Sequence, residues 1–131
     1  MDLLDLQDRV ILITGGCGSI GRVIVRELTA HNARVAVNDI VTEKEAAVIL
    51  AEADPSGERT AYFRADANQP DELTALLDRT EAAWGLPDIV CCHAGMVDAH
   101  PVTEYPLEAF DQLIQTNLRA AFATAQETSR R

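Results

Sequence analysis

Val10-Ile11-Leu12-Ile13-Thr14-Gly15-Gly16-Cys17-Gly18-Ser19-Ile20-Gly21, running on into Arg22-Val23-Ile24-Val25-Arg26-Glu27-Leu28, is the stretch that decides the fold. Val10 to Ile13 form an unbroken apolar run rich in β-branching, which reads as a strand buried on both faces. The glycine cluster marks a sharp turn. Ile20, Val23, Ile24 and Leu28 then recur at helical spacing, which predicts a helix from about Ser19 to Ala30 with that stripe against the sheet. Such a unit aims unpaired backbone N–H groups and the positive end of a helix at one spot, which suits a diphosphate. A side chain at Gly15 or Gly21 would block the turn or the close approach of ligand and backbone.

Downstream, Arg34-Val35-Ala36-Val37-Asn38-Asp39 reads as a second strand ending in an acid, at the distance where a dinucleotide-binding unit places its ribose ligand. Asp39 can accept from both hydroxyls of an adenine ribose, and its charge repels a 2′-phosphate. NAD is therefore expected over NADP. The alternative for Asp39 is that it caps the next helix or lies in a solvated turn.

The whole chain fits this frame. At 131 residues it is expected to form one domain, with 47% apolar and 24% charged residues. A formal net charge of −10 argues against nucleic acid or an anionic membrane as partner. No apolar run approaches membrane-spanning length, and the acidic start Met1-Asp2-Leu3-Leu4-Asp5 is unlike a signal peptide, so a cytoplasmic protein is expected. Three cysteines give no disulfide framework, and Cys91-Cys92, adjacent on a predicted strand, point to opposite faces and cannot converge on a metal. Cys17 reads as a small loop filler.

Taken in order, residues 1–8 are a polar lead-in and Arg9 to Thr14 the first strand. His31 and Asn32 end the first helix, Asn32 being suited to the left-handed position after it. Thr42 and Glu45 form a capping box for a helix carrying Ala46, Ala47, Val48, Ile49, Leu50 and Ala53, which Asp54-Pro55-Ser56-Gly57 breaks. Thr60 to Arg64 is a third strand. Pro70 opens a helix with the stripe Leu73, Leu76, Leu77, Thr80 and Trp84. Asp88 to His93 is a fourth strand, and one last helix follows Pro106 with the stripe Phe110, Leu113, Ile114, Asn117, Leu118, Ala121, Phe122 and Ala125. Asn117 interrupts that apolar face; either a neighbouring backbone satisfies it or it belongs to a site. Alternation of this kind predicts an α/β fold, a Rossmann-type doubly wound parallel sheet in the order 3-2-1-4 with helices on both faces. The glycine loop, Asp39, Asp66 and Ala94-Gly95 then share one edge.

With those residues placed, the chain resembles the short-chain dehydrogenase/reductase family. Thr14 to Gly21 is similar to the family's Thr-Gly-x-x-x-Gly-x-Gly cofactor loop, with Ser19 standing where a glycine is usual. The resemblance implies cofactor contacts at Gly15, Gly18, Ser19, Ile20, Gly21, Asp39, Asp66, Ala67, Ala94 and Gly95, with Asp66 at the adenine. His93-Ala94-Gly95 resembles the family's Asn-Ala-Gly, with His93 expected to be a buried, satisfied histidine, and Asn117 matches the asparagine of the catalytic tetrad. It further implies NAD as cofactor, hydride transfer to or from a small alcohol or carbonyl substrate, and a homo-oligomer. The tetrad's Ser and Tyr-x-x-x-Lys would follow a fifth strand. Lys44 is the only lysine, and neither Tyr62 nor Tyr105 has a lysine four residues on. A truncated, cofactor-binding half that is not active alone is therefore expected, the alternative being a non-catalytic nucleotide-binding or protein-interaction module that uses an exposed sheet edge. His100 and Met96 read as surface-loop residues.

Overall fold

Every residue of β1 (Val10–Thr14) is buried, because β1 is flanked by a strand on each side and by helices on both faces. It is the centre of a parallel sheet with β2 (Arg34–Asp39), β3 (Thr60–Arg64) and β4 (Ile89–Cys91), in the order β3-β2-β1-β4 expected from the sequence. The computed structural model describes residues 4–131; residues 1–3 of the predicted lead-in lie outside the described part. Register pairs Thr14 with Asn38, Asn38 with Phe63 and Ile13 with Cys91, so the strands finish at one edge.

Alternation along the strands feeds two cores. Ile11, Ile13, Val35 and Val37 pack with Val25 of α1 (Gly21–Ala30) and with Ala46 and Leu50 of α2 (Glu43–Ala53). Leu12, Ala36 and Phe63 face the other way, toward Leu73, Leu76 and Leu77 of α3 (Pro70–Trp84). The helices thus cover both faces, as a doubly wound sheet requires. In α3 the predicted stripe holds, with Leu73, Leu76, Leu77 and Thr80 buried and Trp84 packed at the margin of the core. The capping box of α2 is formed, and Asn32 has φ 62° after the last turn of α1.

Other expectations need correction. Helix α1 begins at Gly21 rather than Ser19, and Gly21 and Val25 take the inner positions; Ile24 and Leu28 pack at the core edge, while Ile20 and Val23 face solvent. Close packing of Gly21 on the Gly15 and Gly16 backbone sets this rotation. In α2, Val48 is exposed and Ile49 only flanks the core. β4 covers Ile89–Cys91, half the predicted strand: Asp88 precedes it, accepting from Val10 N–H at 2.8 Å, and beyond Cys91 the chain turns so that His93 N–H bonds Cys91 O at 2.9 Å.

The last predicted helix is three segments, α4 (Leu107–Ile114), a π-helical stretch (Gln115–Arg119) and α5 (Ala120–Ser129), preceded by a 3-10 turn, Val102–Glu104. Its expected inward stripe faces out: Phe110, Ile114, Leu118 and Phe122 are all exposed, Phe122 to 66%. Ala120 and Thr124 are the buried positions instead, where small residues let α5 approach α3. Cys91 packs toward the α1 side and Cys92 is exposed, its Sγ reaching Ala121 O at 3.6 Å, so the pair does point to opposite faces. No helix among the described residues is long and apolar enough to cross a membrane, and no cluster of metal-ligating side chains occurs among them.

The turn before β3 is built on Asp54, whose buried carboxylate accepts from Ser56 Oγ at 2.7 Å, Arg59 N–H at 2.8 Å and Thr60 N–H at 3.0 Å. Burial pushes this carboxyl up, but the hydrogen bonds outweigh it and hold it below the usual range. A depressed folded-state pKa contributes stability above the unfolded value and loses it as pH falls through the folded value. Replacing Asp54 with Ala should cost about 1–3 kcal/mol at neutral pH by stranding these donors. Denaturant titrations should show the gap from the parent narrowing in acid.

Candidate functional site

The carboxyl edge of the sheet is drawn together by the ends of β1, β2 and β4. Thr14 Oγ1 accepts from the N–H groups of both His93 and Ala94 at 3.1 Å, which brings the segment after β4 against the glycine loop. Gly15 has φ 69°, and a Cβ there would stand 2.8 Å from Ala94 Cα. A Cβ on Gly16 would meet Val37 Cγ1 at 2.6 Å, and one on Gly21 would run into Gly15 O. Gly18 has room, its nearest neighbour being Gly15 O at 3.4 Å.

With side chains excluded, the backbone faces outward. Gly16 N–H bonds Asn38 O at 3.0 Å and Gly18 N–H bonds Gly15 O at 3.3 Å. The N–H groups of Ser19, Ile20 and Gly21 find no acceptor among the described residues; α1 has neither a capping side chain nor an acid in its first turn. That is the free positive end of a helix.

Asp39 lies beside it. One carboxylate oxygen accepts from Cys17 N–H at 3.0 Å and the other from Ile40 N–H at 2.8 Å. The capping alternative is excluded, because Thr42 caps α2 with Glu45 as its reciprocal partner. Carboxylate oxygens take more than one donor each, so Asp39 keeps capacity for a ligand. Tyr62 OH is placed 2.6 Å from Val41 O and 3.0 Å from Asp39 O, bracing the turn that carries Asp39; burial raises its pKa, with the charges of Cys17 and Asp39 adding. Cys17 is buried, and burial together with Asp39 pushes its thiol up to about 11, so it is the inert filler expected.

Asp66 and Ala67 follow β3. Asp66 accepts from Asn68 N–H and Asn68 Nδ2, both at 2.9 Å, and its own N–H bonds Glu72 at 2.7 Å. Asp66, Ile40, Arg64, Ala65 and Glu72 line an open cleft of about 540 Å³. Ala67 N–H has no acceptor among the described residues. Buried Asn38 sets the spacing of this cleft from Asp39, since its Nδ2 donates to Phe63 O and Ala65 O at 3.0 Å.

Asn117 sits in the π-helical stretch, exposed rather than inside an apolar face. Its Oδ1 accepts from Met96 N–H and its Nδ2 donates to Met96 O, both at 2.8 Å. A neighbouring backbone therefore satisfies it, and the same bracket holds the segment after Gly95. A Cβ on Gly95 would approach Asn117 Oδ1 to 3.0 Å. Contrary to expectation, His93 is only half-buried, and its ring makes no hydrogen bond among the described residues; only its N–H is engaged. His100 is exposed, near Asp98 at 3.2 Å and edge-on to Tyr105.

Direct contacts thus join Gly15, Gly16, Cys17, Asp39 and Ala94, whereas Asp66 and Asn117 stand farther along the edge, linked through Asn68 and Thr116 at 3.4 Å. Sequence reasoning gave no role to Asn38, Tyr62 or Glu72, and placed Thr14 only as the first residue of the cofactor-loop resemblance. The one signal available was the polar Asn38 at the end of the apolar run Val35 to Val37.

The family model described as short chain dehydrogenase matches residues 9–131. The 2,5-dichloro-2,5-cyclohexadiene-1,4-diol dehydrogenase of Sphingobium indicum is 40% identical over 119 residues, which are 90% of this chain and 46% of that protein. A short-chain type dehydrogenase/reductase from Mycobacterium marinum superposes with a TM-score of 0.91 at 32% identity, over 98% of this chain and 52% of that one. A blue fluorescent protein from a metagenomic library, solved in complex with NADPH, gives 0.85 at 27% identity, over 95% and 51%. The chain spans about half the length of the curated relatives it matches.

Stability measurements should rank the glycines. Gly21→Ala should lose at least about 1–3 kcal/mol, since backbone cannot move aside, while Gly18→Ala should change stability by less than about 1 kcal/mol. Equal effects in thermal melts would mean that Gly21 does not pack as described.

Proposed function

The chain belongs to the short-chain dehydrogenase family, and from that premise we propose that it binds NAD along the carboxyl edge of its sheet, as the cofactor-binding portion of an oxidoreductase. The observation that carries this reading is the free N–H row of Ser19, Ile20 and Gly21 with the Asp39 carboxylate anchored next to it on Cys17 N–H. In this reading Gly15, Gly18, Ser19, Ile20 and Gly21 form the diphosphate cradle, and the absence of side chains at Gly15 and Gly21 keeps it open. Asp39 accepts from the adenine ribose hydroxyls. Asp66 and Ala67 offer an acceptor and a free N–H to the adenine edge. Ala94 and Gly95, fixed by Thr14 and by the Asn117 bracket on Met96, form the wall beside the nicotinamide half.

Bound NAD would supply hydride exchange with a small alcohol or carbonyl compound. The residues here bind and orient it. Asn117 is proposed as the tetrad asparagine, holding the Met96 segment in place. The longer relatives support hydride transfer as the activity of the whole protein.

The preference for NAD over NADP rests on Asp39, whose two oxygens are aimed by backbone donors at the ribose position, where a 2′-phosphate would meet a like charge. NAD should raise the midpoint of thermal unfolding, since a ligand for the folded state stabilises it. Asp39→Ala should weaken NAD roughly tenfold or more, the scale of hydrogen bonds to a charged group, and should improve NADP relative to NAD. Calorimetric titration that finds NADP the tighter ligand of the parent protein rejects the NAD assignment, and binding of neither rejects the cofactor reading.

We also propose that copies associate: β4 pairs only with β1 among the described residues, and the Phe110, Ile114, Leu118 and Phe122 stripe is open to solvent. Light scattering should give more than a monomer mass.

A further inference from the structure

Arg22, the second residue of α1, turns its side chain back over the glycine loop. Its Nε donates to Gly18 O at 3.3 Å and its Nη2 to Cys17 O at 3.1 Å, while its backbone N–H also bonds Gly18 O at 3.0 Å. No carboxylate pairs with it among the described residues. The Gly18 carbonyl is thus fixed by two donors of one residue, and the Cys17 carbonyl by the same guanidinium.

Peptide planarity gives this a consequence. In a trans peptide the C=O and the N–H point in opposite directions. Holding Gly18 O on the Arg22 side therefore aims Ser19 N–H, the other end of the same peptide, away from Arg22 and into the open cradle. Holding Cys17 O likewise fixes the preceding peptide, whose Gly18 N–H closes the turn on Gly15 O at 3.3 Å. The buried Cys17 side chain and the bonds of the Cys17, Gly18 and Arg22 N–H groups hold one side of these peptides, and the guanidinium adds a clamp on both carbonyls where Gly15 and Gly18 bring no side chain to pack. A guanidinium is suited to bracing because its planar fork spans two carbonyls and stays charged at any ordinary pH.

We propose that Arg22 is a positioning residue of the diphosphate cradle, acting through the Cys17 and Gly18 carbonyls to aim the Ser19 N–H at the ligand. This rests on the cofactor reading above, and the ligands for the test are chosen to separate the two. Arg22→Met keeps the aliphatic stem, and Arg22→Lys keeps the charge but lacks the fork. Titrations of the full chain are followed by nitrogen-15 NMR, with ADP as the diphosphate probe and adenosine as the same ligand without phosphates. The expected result is a roughly tenfold weaker Kd for ADP in Arg22→Met, the cost of misaiming a donor to a charged group. Adenosine should bind within about twofold of the parent, and Arg22→Lys should recover little of the loss.

Full recovery of ADP binding in Arg22→Lys would assign the effect to charge and overturn the bracing role, as would unchanged ADP affinity in both variants or an equal loss for adenosine. Should a variant fail to fold, the parent spectrum decides alone. On adding ADP the Ser19 N–H resonance should move strongly and the Arg22 Nε–H resonance little, because the latter stays on Gly18 O. The reverse order would mean that Arg22 touches the phosphates itself and is not a positioning residue. If ADP does not bind the parent protein, the cofactor reading fails first.

Discussion

A hydrogen bond from Cys17 N–H to the Asp39 carboxylate ties the glycine loop to the neighbouring strand, and the site's geometry depends on it. The loop's glycines bring no side chains to help, so the rest falls to Cys17, packed into the core beneath it, and to Arg22 on two of its carbonyls. Gly16 N–H on Asn38 O supplies the second tie, one residue earlier in the loop and in β2. Together they make the loop run outward from β1 along β2 before it enters α1. Burial first, and the same carboxylate second, push the Cys17 thiol up to about 11, so a buried cysteine stays protonated beneath the cradle. Asp39 is therefore structural and polar at once: the bonds that position it leave lone pairs facing out.

The core makes that edge rigid. Parallel register starts β2 and β1 together and brings Thr14, Asn38 and Phe63 level. Buried side chains on both faces of β1 then prevent slippage, because a shift of one residue would exchange the two apolar faces of the sheet. Side-chain hydrogen bonds finish what the ladder begins: Thr14 pulls in the segment after β4, Asn38 fixes the end of β3, and Tyr62 props the turn after Asp39. Thr14 and Asn38 lie at or one residue short of a strand end, and Tyr62 reaches from the middle of β3 to the turn after β2, where the ladder stops and backbone groups need other partners.

Local chemistry was legible in the sequence wherever one segment determined it. The β1 run, the Thr42 and Glu45 box, the left-handed Asn32 and the α3 stripe each depend on neighbours within a few residues, and the structure has them as read. Strand order followed from the alternation of elements. Contacts between distant segments were not legible. Nothing near Asp39 announces that Cys17 N–H is its partner, and nothing near Tyr62 announces the Val41 carbonyl. The α4 to α5 stripe misled because periodicity reports that a helix has an apolar face, not what covers it. On this helix the small residues Ala120 and Thr124 make the close contact, and the large ones have no cover among the described residues. The π-helical stretch was equally invisible, as one extra residue in a turn leaves the apolar pattern on either side nearly intact.

That extra residue explains how Asn117 serves the segment it holds. An amide can replace a missing strand neighbour only by presenting its donor and acceptor side by side to one residue's N–H and C=O, as Asn117 does to Met96. Widening the helical turn at Gln115–Arg119 changes the angular step from one residue to the next and so re-aims the side chain relative to a regular helix. The bracket continues the work of β4, which ends at Cys91, by giving the chain beyond Gly95 a second line of support. Tyr62 spends its hydroxyl on backbone carbonyls and burial raises its pKa, while Tyr105 is raised first by burial and then by the charge of Asp98. A hydroxyl that exchanges a proton with a substrate near neutrality needs the opposite shift, with a cation close by. Lys44, the only lysine, lies in the first turn of α2. Holding a dinucleotide and moving a proton thus make separate demands on such an edge: the first needs fixed backbone donors beside an anchored carboxylate, the second a hydroxyl held below its usual range.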